Sequence, residues 1–219
     1  MATSGDVVVI AAEAREFSGL VRKSGTAEFV LIANGPGPVL AGQAVSETAS
    51  RTKIRALVST GFCGALKPEF VVGDIVVADC VLDAASGERY SAAQPPVRPA
   101  AKMGLVVSMD RVAVTSAEKE ELRRLTGACA VEMEAAEVAR WAVQLGVPFY
   151  CVRAVSDTAD HTLAMDFNAY RDKHGRFSRW RIALAAMRKP RCIPALRRLN
   201  QDSRIAAVKL GDFLANCQF

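Results

Sequence analysis

The sequence predicts an α/β fold: a single domain on a largely parallel central sheet, flanked by helices. Three observations carry that expectation. Strand-length apolar runs recur between residues 7 and 155, most of them rich in Val and Ile and without polar alternation. Such runs suit strands buried on both faces. Helical patterns lie between several of them, as in βαβ units. The chain also has 219 residues, 51% hydrophobic and 23% charged. That composition is ordinary for a globular protein, and the length is enough to bury a large core.

Val7–Ala12 is the first predicted strand, followed by a helical pattern over Glu13–Val21. Phe29–Ala33 and then Val39–Arg51 repeat that order. Ala56–Thr60, Ile75–Asp79 and Leu105–Ser108 read as further strands. Ser116–Leu125 reads as a helix, with Ser116, Lys119 and Glu120 at its start. Cys129–Met133 is extended, Ala135–Leu145 is helical, and Gly146-Val147-Pro148 ends that helix before the strand Phe149–Val155. Residues 83–104 hold Gly87, Pro95, Pro96, Pro99 and Gly104 without a clear period. They are expected to form a long surface loop over an active site. The sheet signals stop after Asp160, and basic helical segments broken by Pro190 and Pro194 follow. The expected organisation is a core over 1–160 and a basic helical extension over 161–219 packed on it.

Several function classes are disfavoured at once. No apolar run is long enough to cross a bilayer, and no basic residue precedes Val7–Ala12, so it is a poor signal peptide. Cys63, Cys80, Cys129, Cys151, Cys192 and Cys217 are scattered without a C-x-x-C pair. They read as reduced thiols in a cytoplasm, neither a disulfide frame nor a metal site. The two histidines, His161 and His174, are too few for a histidine-rich metal centre. No metal or cofactor is expected. Residues 1–159 hold 16 Lys/Arg against 18 Asp/Glu, a net of −2, while residues 160–219 hold 12 against 5, a net of +7. The acidic balance of the core, with no aromatic-basic motif, speaks against nucleic acid as partner.

Four segments in order carry a resemblance: Val9-Ile10-Ala11-Ala12-Glu13-Ala14-Arg15-Glu16; Asn34-Gly35-Pro36-Gly37-Pro38-Val39; Ser59-Thr60-Gly61-Phe62-Cys63-Gly64-Ala65-Leu66 with Val72–Asp79; and Ala130-Val131-Glu132-Met133-Glu134-Ala135-Ala136 with Val152-Arg153-Ala154-Val155-Ser156-Asp157-Thr158-Ala159-Asp160. Together they resemble the purine/uridine phosphorylase superfamily, and within it the methylthioadenosine/S-adenosylhomocysteine nucleosidases. The resemblance spans roughly residues 7–160. It implies a twisted mixed sheet flanked by helices, a small-molecule nucleoside substrate, and a homodimer or higher homo-oligomer.

The chemistry implied is cleavage of an N-glycosidic bond through an oxocarbenium-like sugar, which needs an acid for the leaving base and a nucleophile on the other face. Adenine leaves poorly as an anion. A carboxylic acid with its pKa lifted from about 3.9 towards neutrality can protonate it first. By resemblance Asp157 is that acid and Ser156 orients it. Glu134 matches the ribose-binding glutamate. If Glu132–Glu134 is extended, both carboxylates lie on one side and Met133 on the other. Arg153 is a natural counter-charge to one of them. Glu16 aligns with the carboxylate that activates water. Gly35 and Gly37 follow a strand and precede a helix, where backbone amides can approach a water, a phosphate or the sugar. Read without the family, each has a plainer role: a turn, a helix start, a structural ion pair or a solvated face.

Two departures stand out. Phe62 replaces a serine of the family, and Val112 replaces a phenylalanine that packs on the base, which puts methylthioadenosine in doubt as the substrate. Phosphate needs a donor cluster, and Arg15 alone beside Glu16 is a thin one. Water is therefore favoured as nucleophile, with phosphorolysis and non-catalytic nucleotide binding as the alternatives. The basic tail (Arg171 to Lys209, with Phe177, Trp180 and Met187) packs an apolar stripe on the core or contacts an anionic lipid surface. With Met165-Asp166-Phe167-Asn168 and Thr60-Gly61-Phe62-Cys63-Gly64-Ala65-Leu66, it resembles the hopanoid-associated branch, which implies an adenosyl-linked triterpenoid substrate.

Overall fold

The computed structural model describes residues 5–17, 29–171, 184 and 190–219. In chain order its strands and helices are β1 (Asp6–Ala11), β2 (Phe29–Ala33), α1 (Pro38–Ala49), β3 (Ile54–Ala65), β4 (Ile75–Asp83), β5 (Arg89–Ser91), β6 (Lys102–Ser108), α2 (Ser116–Thr126), β7 (Ala130–Glu132), α3 (Ala135–Leu145), β8 (Phe149–Asp157) and α4 (Ile193–Leu214). Short 3₁₀ turns occupy Ala14–Phe17, Phe167–Tyr170 and Pro190–Cys192.

One mixed sheet of eight strands holds the fold together. β1 lies parallel to both β2 and β3, and β3 lies parallel to β8. β8 then pairs antiparallel with β4, β4 pairs parallel with β6, β6 with β7, and β7 returns antiparallel to β3. Five strands thus close a ring, in which only β3 and β7 meet through a short two-residue pairing. β8 lies between β3 and β4, and every residue from Phe149 to Ser156 is buried. This is why its sequence is an unbroken apolar run interrupted only by Arg153 and Ser156.

Helices cover the sheet on two sides. Ala41, Ala44 and Val45 of α1 and Ala135, Val138, Ala139 and Ala142 of α3 share one core with Val8, Ile10 and Leu57. Ala206, Leu210, Phe213 and Leu214 of α4 share another with Val77, Val152 and Ala154. The outer face of α4 exposes Arg197, Arg198, Arg204 and Lys209 together with Ile205 and Val208. The other basic and aromatic residues expected in the tail, from Lys173 to Lys189 and including Phe177, Trp180 and Met187, lie outside the described residues. No described helix is long and apolar enough to cross a membrane.

Several expectations are corrected. The helical pattern at Glu13–Val21 appears as a single 3₁₀ turn over Ala14–Phe17, with 18–21 outside the described residues. Residues 83–104 are not a loop. Arg89–Ser91 pairs antiparallel with β4, and Lys102 begins β6. Prolines at 95, 96 and 99 hid this, because they break the connection but not the strands beside it. α2 is capped one residue earlier than expected: the Thr115 hydroxyl accepts from Glu118 N at 3.1 Å, and the Glu118 carboxylate accepts from Val114 N at 2.8 Å. The pair resembles a capping box, with the Glu118 carboxylate reaching one residue further back than the N-cap amide. The end of α3 is as expected, with Gly146 at φ 66°, a left-handed backbone that glycine adopts without strain.

Leu210 is fully buried between α4 and β8. Leu210→Ala is expected to lower unfolding stability by about 2–5 kcal/mol in a denaturant titration. A loss well under about 1 kcal/mol would show that α4 does not share the domain core.

Candidate active site

The site forms where β1, β3, β7 and β8 end. A cavity of about 180 Å³ is lined by Ala12 and Glu16 after β1, Phe62, Cys63 and Gly64 from β3, Arg111 to Ala113 after β6, Val131 to Glu134 at the end of β7, and Ser156 and Asp157 at the end of β8. These are carboxyl ends of parallel strands, where open α/β sheets place their ligands.

Glu132 and Arg153 form its buried base. Arg153 comes from the middle of β8, is fully buried, and pairs through one guanidinium nitrogen with Glu132 Oε2. The same nitrogen donates to Ser59 Oγ on β3 at 2.7 Å and lies 3.9 Å from Glu134 Oε2. Although burial opposes the charge, Glu132 and the other nearby acids hold Arg153 firmly protonated. Glu132 Oε2 also accepts from the amides of Glu134 and Ala135, each at 2.9 Å. Glu132 therefore satisfies the orphan amides at the start of α3. Glu134, the N-cap residue of α3, makes no side-chain cap bond. Its carboxylate instead accepts from Gly37 N at 2.8 Å and faces the cavity. The two carboxylates do converge on Arg153, but β7 ends at Glu132 and Glu134 already belongs to the turn.

Glu16 lies on the 3₁₀ turn after β1 and is only 3% exposed. Its Oε2 accepts from Ala12 N at 3.0 Å and Glu13 N at 3.2 Å. Burial first, and then the nearby Glu134 carboxylate, push its pKa up from 4.5 to about 8. Glu134 is likewise pushed up, by burial and then by Glu132. The close approach of Glu16 and Arg153 depends on Gly61. A Cβ there would sit 2.9 Å from both Glu16 Oε2 and Arg153 Nη1, and φ is 140°. Only glycine suits that backbone and that space.

Asp157 takes two partners. Its Oδ1 accepts from the Ser156 hydroxyl at 2.8 Å, and its Oδ2 lies 2.5 Å from Lys119 Nζ of α2. A buried ammonium thus lies directly against this carboxyl group. In the sequence Lys119 reads as part of a helix start. Its signal was periodicity, since Lys119, Leu122 and Thr126 share the inward face of α2.

Other expected residues sit differently. Gly35 N donates to Ala12 O at 3.0 Å and Gly37 N to Glu134, so these amides serve the fold and the Glu134 carboxylate, not a bound anion. Arg15 pairs with Glu13 at 2.6 Å and lies over the Phe62 ring at 5.3 Å. Phe62, Val112 and Arg111 line the cavity, and so does Met133, on the same side as Glu132 and Glu134 rather than opposite them. Asn168 pins the Val112 backbone, accepting from its N at 2.8 Å and donating to its O at 3.0 Å. His161 contributes its carbonyl oxygen to Lys119 at 3.2 Å. No cluster that could hold a metal ion occurs among the described residues.

Comparison with known proteins agrees with this arrangement. The family model described as the phosphorylase superfamily matches residues 6–187. A 5'-methylthioadenosine/S-adenosylhomocysteine nucleosidase of Staphylococcus aureus is 31% identical over 172 residues, covering 67% of this chain and 75% of the relative. Among solved structures, a Neisseria meningitidis nucleosidase of that name, in complex with methylthio-immucillin-A, superposes with a TM-score of 0.72 at 22% identity, covering 96% of this chain and 97% of that one. The futalosine hydrolase of Helicobacter pylori superposes with a TM-score of 0.70 at 16% identity, covering 95% of each chain. These two likenesses speak for the fold, while the matched family model and the Staphylococcus aureus relative speak for descent. The chain belongs to the phosphorylase superfamily, alongside the 5'-methylthioadenosine/S-adenosylhomocysteine nucleosidases.

Proposed function

We propose that the protein hydrolyses the N-glycosidic bond of an adenosine-type nucleoside. The observation that carries this reading is one cavity walled by both a buried carboxylate, Glu16, and a second carboxyl group, Asp157. A leaving purine needs a proton, and an attacking water needs a base. Asp157 serves as acid to the base, oriented by Ser156. Glu134 accepts the ribose hydroxyls, its free lone pairs facing the cavity. Glu16 takes the proton of the attacking water. Arg153 Nη1 is buried without a hydrogen-bond partner and lies against Gly61 beside Glu16. It is a donor suited to a water at that point.

Phosphate is the poorer nucleophile for this site. In their ionised forms, the form in which Glu16 can act as a base, Glu16 and Glu134 would both repel a dianion. Arg15 is engaged with Glu13 and Phe62, Arg111 pairs with Glu118, and the Gly35 and Gly37 amides are already used. Phe62 offers no hydroxyl. Adenine release should therefore persist in phosphate-free buffer and yield free sugar, and Glu16→Gln should lower kcat by about 100-fold or more. A sugar 1-phosphate, with turnover that stops when phosphate is removed, would establish phosphorolysis instead.

The raised pKa of Glu16 sets a pH window. The base works only when ionised, so kcat/KM of the free enzyme should climb between pH 6 and about 8. Stability should run the other way. The folded state keeps the proton on Glu16 where the unfolded chain loses it, so the stability that Glu16 contributes is fully present below pH 4.5 and is lost as pH rises towards about 8. Glu16→Gln should therefore raise the melting temperature relative to the parent at pH 9 and have little effect at pH 5. A difference that does not change with pH would remove Glu16 from the titration.

The 5' substituent is the finer question. We take the adenosyl-linked triterpenoid suggested by the tail as the candidate, on the strength of that resemblance and of Ile205 and Val208 exposed among the basic residues of α4. Adenine should be released faster from an adenosyl compound with a long apolar 5' group than from 5'-methylthioadenosine. The opposite order would return the protein to the methylthioadenosine substrates of its relatives.

A further inference from the structure

Lys119 is fully buried although it is a lysine on a surface helix. Burying an ammonium is costly unless every donor is met. Here all three are. Nζ reaches Asp157 Oδ2 at 2.5 Å, the Thr158 carbonyl at 2.7 Å and the His161 carbonyl at 3.2 Å. All three acceptors come from the end of β8 and the turn after it. The space is prepared from β3: a Cβ on Gly64 would lie 3.0 Å from Asp157 Oδ2 and 3.5 Å from Lys119 Cε.

We propose that Lys119 is the positioning residue of the leaving-group acid. The inference rests on the assignment of Asp157 as that acid. Lys119 occupies Oδ2, and Ser156 bonds to Oδ1, so the carboxyl plane is held from both sides. Oδ1 keeps a second lone-pair site and is the oxygen that exchanges a proton with the base. Asp157 takes its proton from solvent through the cavity that it lines. When the glycosidic bond breaks, its electron pair goes to the purine. The Asp157 O–H bond breaks, the purine ring N–H bond forms, and the O–H electron pair stays on the carboxylate. That new negative charge lies beside the Lys119 ammonium, which keeps its own protons throughout. Lys119 thus stabilises charge that develops only as the proton leaves, which favours the transition state over the bound substrate.

The test uses Lys119→Met and Asp157→Asn, each assayed on 5'-methylthioadenosine and on 4-nitrophenyl β-D-riboside, whose leaving group departs without a proton. The expected result for Lys119→Met is a kcat on the purine substrate lower by about 100-fold with little change in KM, and riboside cleavage near the parent rate. Asp157→Asn should show the same selectivity. If Asp157→Asn cleaves the purine substrate normally, the acid is misassigned and the proposal falls with it. If Asp157→Asn is impaired and Lys119→Met is not, the acid stands and Lys119 has no role in positioning it. Equal losses on both substrates in Lys119→Met would mark a purely structural lysine and also overturn the proposal. Should the methionine variant not fold, Lys119→Gln keeps a donor to Thr158 while removing the charge, and it is read in the same way.

Discussion

The buried Glu132–Arg153 pair is the contact on which the site depends. Each of these charges would cost several kcal/mol to bury alone. Paired, they connect three elements through a single carboxylate oxygen, which meets Arg153 of β8 and the first amides of α3 from the end of β7. Arg153 adds β3 through Ser59. Three of the strands that close the ring are therefore tied at the floor of the cavity. Because Glu132 serves the helix amides, Glu134 does not have to. Its carboxylate is left for the cavity and for the amide of Gly37 at the start of α1.

The same floor sets the electrostatics above it. One arginine faces three buried acids: Glu132 in contact, with Glu134 and Glu16 further off. The nearest acid takes most of the compensation. Burial and mutual repulsion push the other two upward. A carboxylate poised near neutrality is a useful base for water, and a group held neutral at low pH is inexpensive to bury. At the other end of the cavity Asp157 has a lysine of its own, so Asp157 and Glu16 have separate cations beside them. Two carboxyl groups in one cavity thus have different surroundings, the usual way in which one fold runs acid and base chemistry together.

Much of this was legible in the chain. Val7–Ala12, Phe29–Ala33 and Phe149–Val155 read as buried strands because covered strands need no polar alternation, and all three are strands. Ala135–Leu145 and its stop at Gly146 were equally plain, since a left-handed cap favours glycine. Glu16 and Asp157 stand out only through the motif resemblance, and Glu132 and Glu134 also because carboxylates at the end of an apolar strand are costly without partners. The strand Arg89–Ser91 was missed: it is three residues long, lies in a proline-rich stretch, and depends on β4 for its hydrogen bonds. Lys119 was missed for a related reason. A lysine near a helix start is usually solvated, and only the distant turn at Thr158 and His161 shows otherwise.

Local pattern and composition determined the α/β class and most element positions, while the set of candidate carboxylates came from four short motifs and the resemblance they carry. Each of these follows from neighbours within a few residues: period, caps, turn residues, charge beside apolar runs. The sequence alone did not determine the closure of five strands into a ring, the choice of Glu132 over Glu134 as partner of Arg153, or the commitment of the Gly35 and Gly37 amides. It also did not show that Asp157 meets an ammonium from α2. These were decided by tertiary structure, because they depend on strand register and helix docking between segments far apart in sequence. A shift of one residue in β8 would turn Arg153 away from Glu132.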